Sequence, residues 1–199
     1  MKKYPVVYGK IEGRYYLSTY KIGAYSIRSL SEEGTFYSDN ISLNRKLEFK
    51  PTILIRNPEK RFYSGLVQTS LHIYTNKKHK LYTFKVPDDI YKISFFTRLL
   101  NNNWDDIKDD PNLFPYHEFA YKFAHKNNLN ILDLDEWKPN GLTEEMKHSN
   151  KDRYDELDKV FYKNKLNQES KQKIQNYLEN ELKFYKLCKI GKKENLNLI

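Results

Sequence analysis

Short apolar runs alternate with longer amphipathic segments along the chain, and this alternation predicts strands interspersed with helices. Strands are predicted at 14–19 (RYYLST), 35–38 (TFYS), 51–56 (PTILIR) and 129–134 (LNILDL), because each run is short and rich in aromatic or β-branched residues. The run at 51–56 is apolar enough to be covered on both faces, as strands of a parallel sheet are.

The segments between these strands have helical periodicity. Helices are predicted from Ile27, over 58 to about 74, over 88–102, over 114–125 and from the candidate N-cap Asn167 onward. Strands that alternate with helices indicate an α/β fold with a mainly parallel central sheet flanked by helices. We expect a single domain over residues 1–199, with a loose tail from about residue 189.

Composition restricts the partners and the compartment. The 199 residues include 35 Lys and Arg against 26 Asp and Glu, a net charge of +9. This charge favours an anionic partner, such as nucleic acid, anionic lipid, acidic polysaccharide or a phosphate-bearing cofactor, but a solvated basic surface explains it equally well. The single cysteine excludes an internal disulfide, and the chain has neither a signal-peptide core nor a membrane-spanning run. We therefore expect a cytoplasmic protein.

The segment RNPEKRFYS, residues 56–64, places charged and polar groups just after an apolar strand. Pro58 is a suitable first helical residue, so Arg56 ends the strand and a helix begins almost at once. Arg61 and Ser64 then share one helix face. Arg56 lies at the carboxyl end of a predicted parallel strand, where ligands bind in open α/β sheets. Two guanidinium groups and a hydroxyl suit a phosphate, whereas the alternative is a salt-bridged surface corner.

The segment YLSTYKIGAYSIRSL, residues 16–30, also runs from a strand through a glycine-containing turn into a helix. Lys21 and Ser26 bracket the turn, and such a turn can direct backbone N–H groups toward an anion. The Walker A pattern is absent. If the two strands are parallel neighbours, both turns lie at the same edge of the sheet.

This pair of turns resembles the sulfotransferase superfamily, in particular its carbohydrate sulfotransferases, which use 3′-phosphoadenosine-5′-phosphosulfate (PAPS). In that family a turn of the form P-K-x-G-x-[ST]-[ST]-L holds the 5′-phosphosulfate, and R-[ND]-P-x-x-R-x-x-S holds the 3′-phosphate. YKIGAYSI stands for the first motif, with Tyr20 in place of proline and Ala24-Tyr25 in place of a small or hydroxylated pair. RNPEKRFYS matches the second motif at every defined position.

The resemblance implies a P-loop-like three-layer sandwich that transfers a sulfuryl group from PAPS to a hydroxyl acceptor, a glycan by analogy, and releases the bisphosphate PAP. It implies no metal and no requirement for nucleic acid. Lys21 would contact the 5′-phosphate and the sulfuryl oxygens, while Arg56, Ser64 and, with less support, Arg61 would hold the 3′-phosphate. The implied cofactor-binding residues are Lys21, Ile22, Gly23, Ala24, Tyr25, Ser26, Arg56, Arg61 and Ser64.

Sulfuryl transfer to a hydroxyl also needs a base for the hydroxyl proton. Family members use a carboxylate or histidine near the end of the second strand, where this chain has Asp39 in TFYSD. Asp39 is therefore the candidate catalytic base beside Lys21, although aspartate at a strand end is equally typical of a turn. His117 is a weaker candidate.

Two other functions fit the same residues. A nucleotide phosphotransferase could use the same turn geometry, but the missing Walker lysine-serine pair argues against it. A nonenzymatic module could keep the fold and bind nucleic acid or another polyanion, and Tyr25 in the phosphate turn leaves this alternative open.

Overall fold

A computed structural model of the chain describes residues 2–75, 93–143, 146 and 166–196. The chain forms two compact units, whereas the sequence analysis treated it as one domain. The first unit comprises Met1–Pro58, Pro115–Ser149 and Leu178–Ile199, and the second comprises Glu59–Phe114 and Asn150–Tyr177. Each unit is described by itself.

The first unit is built on an open five-stranded sheet, which confirms the α/β class. The strands are β1 (Tyr4–Ile11), β2 (Arg14–Ser18), β3 (Tyr37–Ile41), β4 (Thr52–Ile55) and β5 (Ile131–Asp133). Their order across the sheet is β3-β1-β2-β4-β5. β1 pairs antiparallel with β2 and β3, while β4 pairs parallel with β2 and β5.

The sheet is therefore mixed, and the prediction of a mainly parallel sheet is not confirmed. The difference comes from β1, which the sequence analysis did not predict. β1 and β2 form a hairpin through Glu12 and Gly13, whose φ angles of 51° and 77° are both positive. Positive φ at both loop residues is the type I′ geometry that closes tight hairpins, so the Glu-Gly pair was the missed signal.

Five helices occur in the described ranges: α1 (Ala24–Leu30), α2 (Pro58–Thr75), α3 (Ile93–Ile107), α4 (His117–Asn127) and α5 (Gln168–Leu196). The predicted cap of α5 is confirmed, since the Ser170 N–H donates to Asn167 Oδ1 at 2.8 Å. α5 continues to Leu196, so helix extends through residues 189–196 of the predicted tail. Their lysines and glutamate are good helix formers, which the sequence analysis underrated. The predicted helical residues 88–92 lie outside the described ranges.

Each unit has its own apolar core. In the first, β1, β2 and β4 contribute the buried residues Val6, Val7, Leu17, Ile53, Leu54 and Ile55, and helices α1 and α4 contribute Ile27, Phe119 and Phe123. In the second, Phe62, Trp104 and Tyr177 form an aromatic cluster, with ring centroids 5.4–6.1 Å apart. None of the described helices is long and apolar enough to cross a membrane.

Candidate anion-binding site

Three parallel strands of the first unit end at the same edge of the sheet. β2 leads into the turn Thr19–Gly23, β4 is followed directly by Arg56, and β5 ends on Asp133. The strand before Lys21 and the strand before Arg56 are thus parallel neighbours, which meets the condition under which both turns lie at one edge. The carboxyl edge of parallel strands is where ligands bind in open α/β sheets, so this edge is the candidate site.

The turn after β2 is held from inside by its own hydrogen bonds. The Ile22 N–H donates to the Thr19 carbonyl at 3.2 Å, and the Ser18 hydroxyl donates to the Ile22 carbonyl. Lys21 and Gly23 both have positive φ, 66° and 74°. A lysine in the left-handed region is strained by about 1–2 kcal/mol, a cost that recurs at functional sites.

Gly23 packs the turn against the sheet edge. A Cβ atom at Gly23 would lie 3.0 Å from Leu134 Cδ1 and 3.6 Å from Leu54 Cδ1. Its positive φ adds a second reason for glycine, because side chains disfavour that conformation. The glycine lets the backbone of the turn approach β4 closely, which brings Lys21 beside Arg56.

The Arg56 guanidinium is buried without an acidic partner among the described residues. Arg56 is 3% exposed, and Nη1 donates to the Lys21 carbonyl at 3.0 Å. Within the described ranges Nε and Nη2 have no hydrogen-bond partner, and no ion pair to Arg56 forms. Burying N–H donors without acceptors is costly, so this guanidinium can receive an acceptor that the described residues do not provide.

Lys21 brings a second positive charge to the same place. Burial, reinforced by the positive charge of Arg56, lowers the pKa of Lys21 from 10.5 to about 8. The ammonium group is still mostly charged at neutral pH. An anion placed between Lys21 and Arg56 would offset both the burial of the ammonium and the repulsion by Arg56, because opposite charge favours the protonated amine.

The main chain at Arg56 is fixed by a buried network from two helices. His117, in α4, has Nε2 2.7 Å from the Arg56 carbonyl oxygen and Nδ1 2.7 Å from Glu181 Oε2, in α5. The Tyr116 hydroxyl donates to the Leu54 carbonyl at 3.1 Å. His117 is fully buried with both ring nitrogens engaged, so a general-base role for it is not supported. Sequence reasoning missed Glu181, whose only signal was an acidic residue on the apolar face of its helix.

A second buried carboxylate lies at the end of β5. The Tyr185 hydroxyl and Lys189 Nζ both bind Asp133 Oδ2, and the Asp135 N–H donates to Asp133 Oδ1. Burial by itself raises the pKa of Asp133, but these hydrogen bonds outweigh burial and the pKa is lowered overall. The carboxylate therefore stays ionised and attaches α5 to β5.

The other residues predicted in the phosphate turn have mixed environments. Tyr25 is 64% exposed, so its ring projects away from the turn instead of filling it. Ser26 is buried, and its hydroxyl donates to the Met146 carbonyl at 3.3 Å. The Ile22 N–H is engaged within the turn, and Ala24 begins α1. Of the predicted cradle, the Ile22 N–H and the Ser26 hydroxyl are therefore already engaged within the protein.

Arg61 and Ser64 belong to the second unit. Both are buried on α2, which begins at Pro58 as predicted. Arg61 Nη1 donates to the Tyr177 hydroxyl at 3.2 Å, and the guanidinium lies 5.3 Å from the centroid of the Phe114 ring. These contacts give Arg61 a role in bracing the interior of its own unit.

Asp39 is not brought to Lys21 or Arg56. It lies in the middle of β3, an edge strand, where it is exposed and opposite Val6 of β1. Because β1 lies between β3 and β2, two strand spacings, about 10 Å, separate the Asp39 strand from β2. The sequence analysis placed Asp39 beside the turn because it did not recognise β1.

No protein-family model, no curated protein and no solved structure matches the chain.

Proposed function

We propose that the chain binds PAPS and transfers its sulfuryl group to a hydroxyl acceptor, with a carbohydrate as the acceptor class. One observation carries the proposal: the buried Arg56 guanidinium keeps two nitrogens without a partner among the described residues, beside the Lys21 turn at the carboxyl edge of parallel strands. An anion is the group that satisfies those donors, and the sequence around Arg56 matches the motif that binds the 3′-phosphate in sulfotransferases.

The residues near the turn fit defined steps of this reaction. The acceptor oxygen attacks sulfur, the bond from sulfur to the bridging phosphate oxygen breaks, and PAP leaves. The Lys21 ammonium would stabilise the negative charge that develops on the bridging oxygen. As in loose phosphoryl transfer, most of the contribution of the protein would be alignment and charge stabilisation. The hydroxyl proton would pass to a general base; Asp39, the base that the sequence predicted, lies on the edge strand β3 and not beside Lys21.

The local topology supports the P-loop-like part of the proposal. β2, the turn and α1 follow one another as in that fold, and β4 and β5 continue the parallel half of the sheet. The hairpin partner β1 and the edge strand β3 would then be antiparallel additions. The roles of Arg61 and Ser64 toward the 3′-phosphate remain predictions from the motif, and each needs its own variant.

The cofactor site is tested by thermal unfolding in the presence of adenosine 3′,5′-bisphosphate. AMP and ATP, which lack the 3′-phosphate, are the control ligands. A ligand at 100 times its Kd stabilises by about 2.7 kcal/mol, which corresponds to a rise in Tm of about 5–10 °C for a chain of this size. We expect this rise for the bisphosphate and a smaller one for AMP and ATP.

The matched variants are Arg56→Met and Arg28→Met. Methionine keeps the length of the arginine stem but removes the charge and the donors. Arg56→Met should abolish the shift, whereas Arg28→Met, at an exposed position of α1, should preserve it. An equal shift with ATP, or a shift that survives in Arg56→Met, contradicts the proposal. Release of PAP from PAPS upon addition of a glycan then tests the transfer itself.

A further inference from the structure

The strand that precedes Arg56 is held differently on its two sides. On the β5 side, the Ile53 N–H donates to the Asn130 carbonyl and the Leu134 N–H donates to the Ile55 carbonyl, as in a continuing sheet. On the β2 side, the pairing reaches only Ile53. Beyond Ile53, β2 turns away toward Lys21. The carbonyls of Leu54 and Arg56, which face the β2 side, therefore have no partner in that strand.

Two side chains at the N-terminal end of α4 form hydrogen bonds with these carbonyls. The Tyr116 hydroxyl binds the Leu54 carbonyl at 3.1 Å, and His117 Nε2 lies 2.7 Å from the Arg56 carbonyl. Leu54 and Arg56 are alternate residues, so their carbonyls point the same way. Side chains of α4 therefore extend the hydrogen bonding of β4 by the two residues that lead to the guanidinium.

The hydrogen bonds around the His117 ring place a proton on Nε2. Nε2 faces a carbonyl, which can only accept, so Nε2 carries a proton. Nδ1 faces Glu181, whose two oxygens also accept the N–H groups of Tyr116 and His117, both at 3.2 Å. Whichever of the two holds the proton between Nδ1 and Glu181, Nε2 is the donor to the Arg56 carbonyl and the ring is fixed at both nitrogens.

Two further side chains of α5 lie near this pair. Burial first, and then the negative charge of Glu181, raise the pKa of the Cys188 thiol to about 12. The rings of His117 and Tyr185 form an edge-to-face contact, with the centroids 5.6 Å apart. Helix α5 thus contacts the ring through Glu181 and Tyr185.

We propose that His117 is a positioning residue of the anion site. Its Nε2–H holds the Arg56 carbonyl, so that the Arg56 side chain starts from a fixed main chain and the guanidinium is oriented before the ligand arrives, while Glu181 fixes the orientation of the ring. This inference rests on the proposed anion-binding function of Arg56. Preorganisation of this kind raises affinity because the ligand does not have to order its own binding group.

Two amide variants separate the two hydrogen bonds of the ring. In His117→Gln the side-chain amide reaches the former position of Nε2, so the donor to the Arg56 carbonyl is kept and the bond to Glu181 is lost. In His117→Asn the shorter amide occupies the former position of Nδ1, so the bond to Glu181 is kept and the donor to Arg56 is lost. Both variants replace the imidazole ring with an amide, so each is the control for the other.

The affinity for adenosine 3′,5′-bisphosphate and for inorganic pyrophosphate is measured by titration calorimetry, and folding is checked by urea unfolding. We expect His117→Asn to weaken binding about tenfold, the equivalent of one hydrogen bond, and His117→Gln to stay within about threefold of wild type. Equal losses in both variants, or no loss in either, would overturn the inference.

The outcomes also separate this inference from the proposed function. If pyrophosphate binds as well as the bisphosphate and shows the same difference between the variants, the positioning role holds and the PAPS proposal fails. If the wild type binds neither probe, both fail. If His117→Asn does not fold, nitrogen NMR of the wild-type imidazole decides: an Nε2–H signal that responds to added bisphosphate supports the inference, and an Nε2 without a proton overturns it.

Discussion

Lys21 is the residue whose charge state should control binding near neutral pH. Burial first, and then the neighbouring Arg56 charge, lower its pKa to about 8. We expect the affinity for adenosine 3′,5′-bisphosphate to fall as pH rises through 8, because the ammonium that contacts the anion becomes a neutral amine. Phosphate monoesters lose their second proton near pH 6, so the ligand charge is nearly constant from about pH 7.5 upward. Titration calorimetry from about pH 7.5 to about pH 9.5 measures the effect.

Lys21→Arg is the control for that titration. Arginine stays charged over the whole range, so the variant should lose the fall in affinity while it still binds. A pH profile that is the same in wild type and variant assigns the dependence to another group. The sign for folding is opposite: the stability of the free protein should increase as pH rises from about 8 toward the unfolded value of 10.5, since only the unfolded chain then binds the proton.

At the scale of single residues, the sequence predicted part of the candidate anion-binding site. Lys21 and Arg56 could be predicted because both follow predicted strands, and the carboxyl ends of parallel neighbours share an edge. Glu181 could not be predicted as the partner of His117, because the two residues are 64 positions apart and only the packing of α5 brings them together. Asp39 was misplaced because its position depends on a strand that was not recognised.

At the scale of elements, the hairpin shows where sequence patterns fail. β1 contains Pro5 and Gly9, residues that strands disfavour, and these masked its alternation of buried residues. Its burial pattern became interpretable only with the turn at Glu12-Gly13. β2, β4 and β5 were predicted within two residues because each is a short run of apolar and β-branched residues. The local sequence thus predicted which of these segments form strands, but not the order or the direction of the strands in the sheet.

The attachment of α5 to β5 gives a prediction for a pair of elements. The Tyr185 hydroxyl donates to the buried Asp133 carboxylate, and burial together with this bond raises the pKa of Tyr185, so the phenol remains a donor. Tyr185→Phe should lower the free energy of unfolding by about 1–3 kcal/mol at pH 7, because a buried carboxylate loses a partner. Urea unfolding measures this loss, with Tyr25→Phe at an exposed position as the control, which should change nothing.

The pH dependence of that loss identifies the bond. The pKa of Asp133 is lowered in the folded protein from its ordinary value of 3.8, so its contribution to stability is present above that value and is lost as pH falls through the folded pKa. The difference between wild type and Tyr185→Phe should therefore shrink in acid. A difference that persists unchanged at pH 2 would indicate that packing of the ring, not the hydrogen bond, is lost.

At the scale of the whole molecule, the net charge of +9 favours a rival function, a surface that binds polyanions. Salt separates the two functions. A surface that neutralises six to ten phosphates loses about 10³–10⁵ in affinity between 50 and 200 mM salt. A buried pair of cations that binds one small ligand is screened much less, so we expect the bisphosphate affinity to fall less than about tenfold over this range.

The double variant Lys46→Glu, Lys50→Glu sharpens that comparison. Both lysines are exposed in the first unit, and neither belongs to the Lys21–Arg56 edge. If the protein binds a single-stranded oligonucleotide, the variant should weaken that binding, because it removes two surface cations and adds two anions. The bisphosphate affinity should stay within about twofold, since exposed charges interact weakly with a buried site. The affinity for the bisphosphate could instead depend on salt as steeply as the affinity for the oligonucleotide, and could fall by the same factor in the double variant. The bisphosphate would then bind on the basic surface. The net charge, rather than the Arg56 guanidinium, would then explain the affinity for anions.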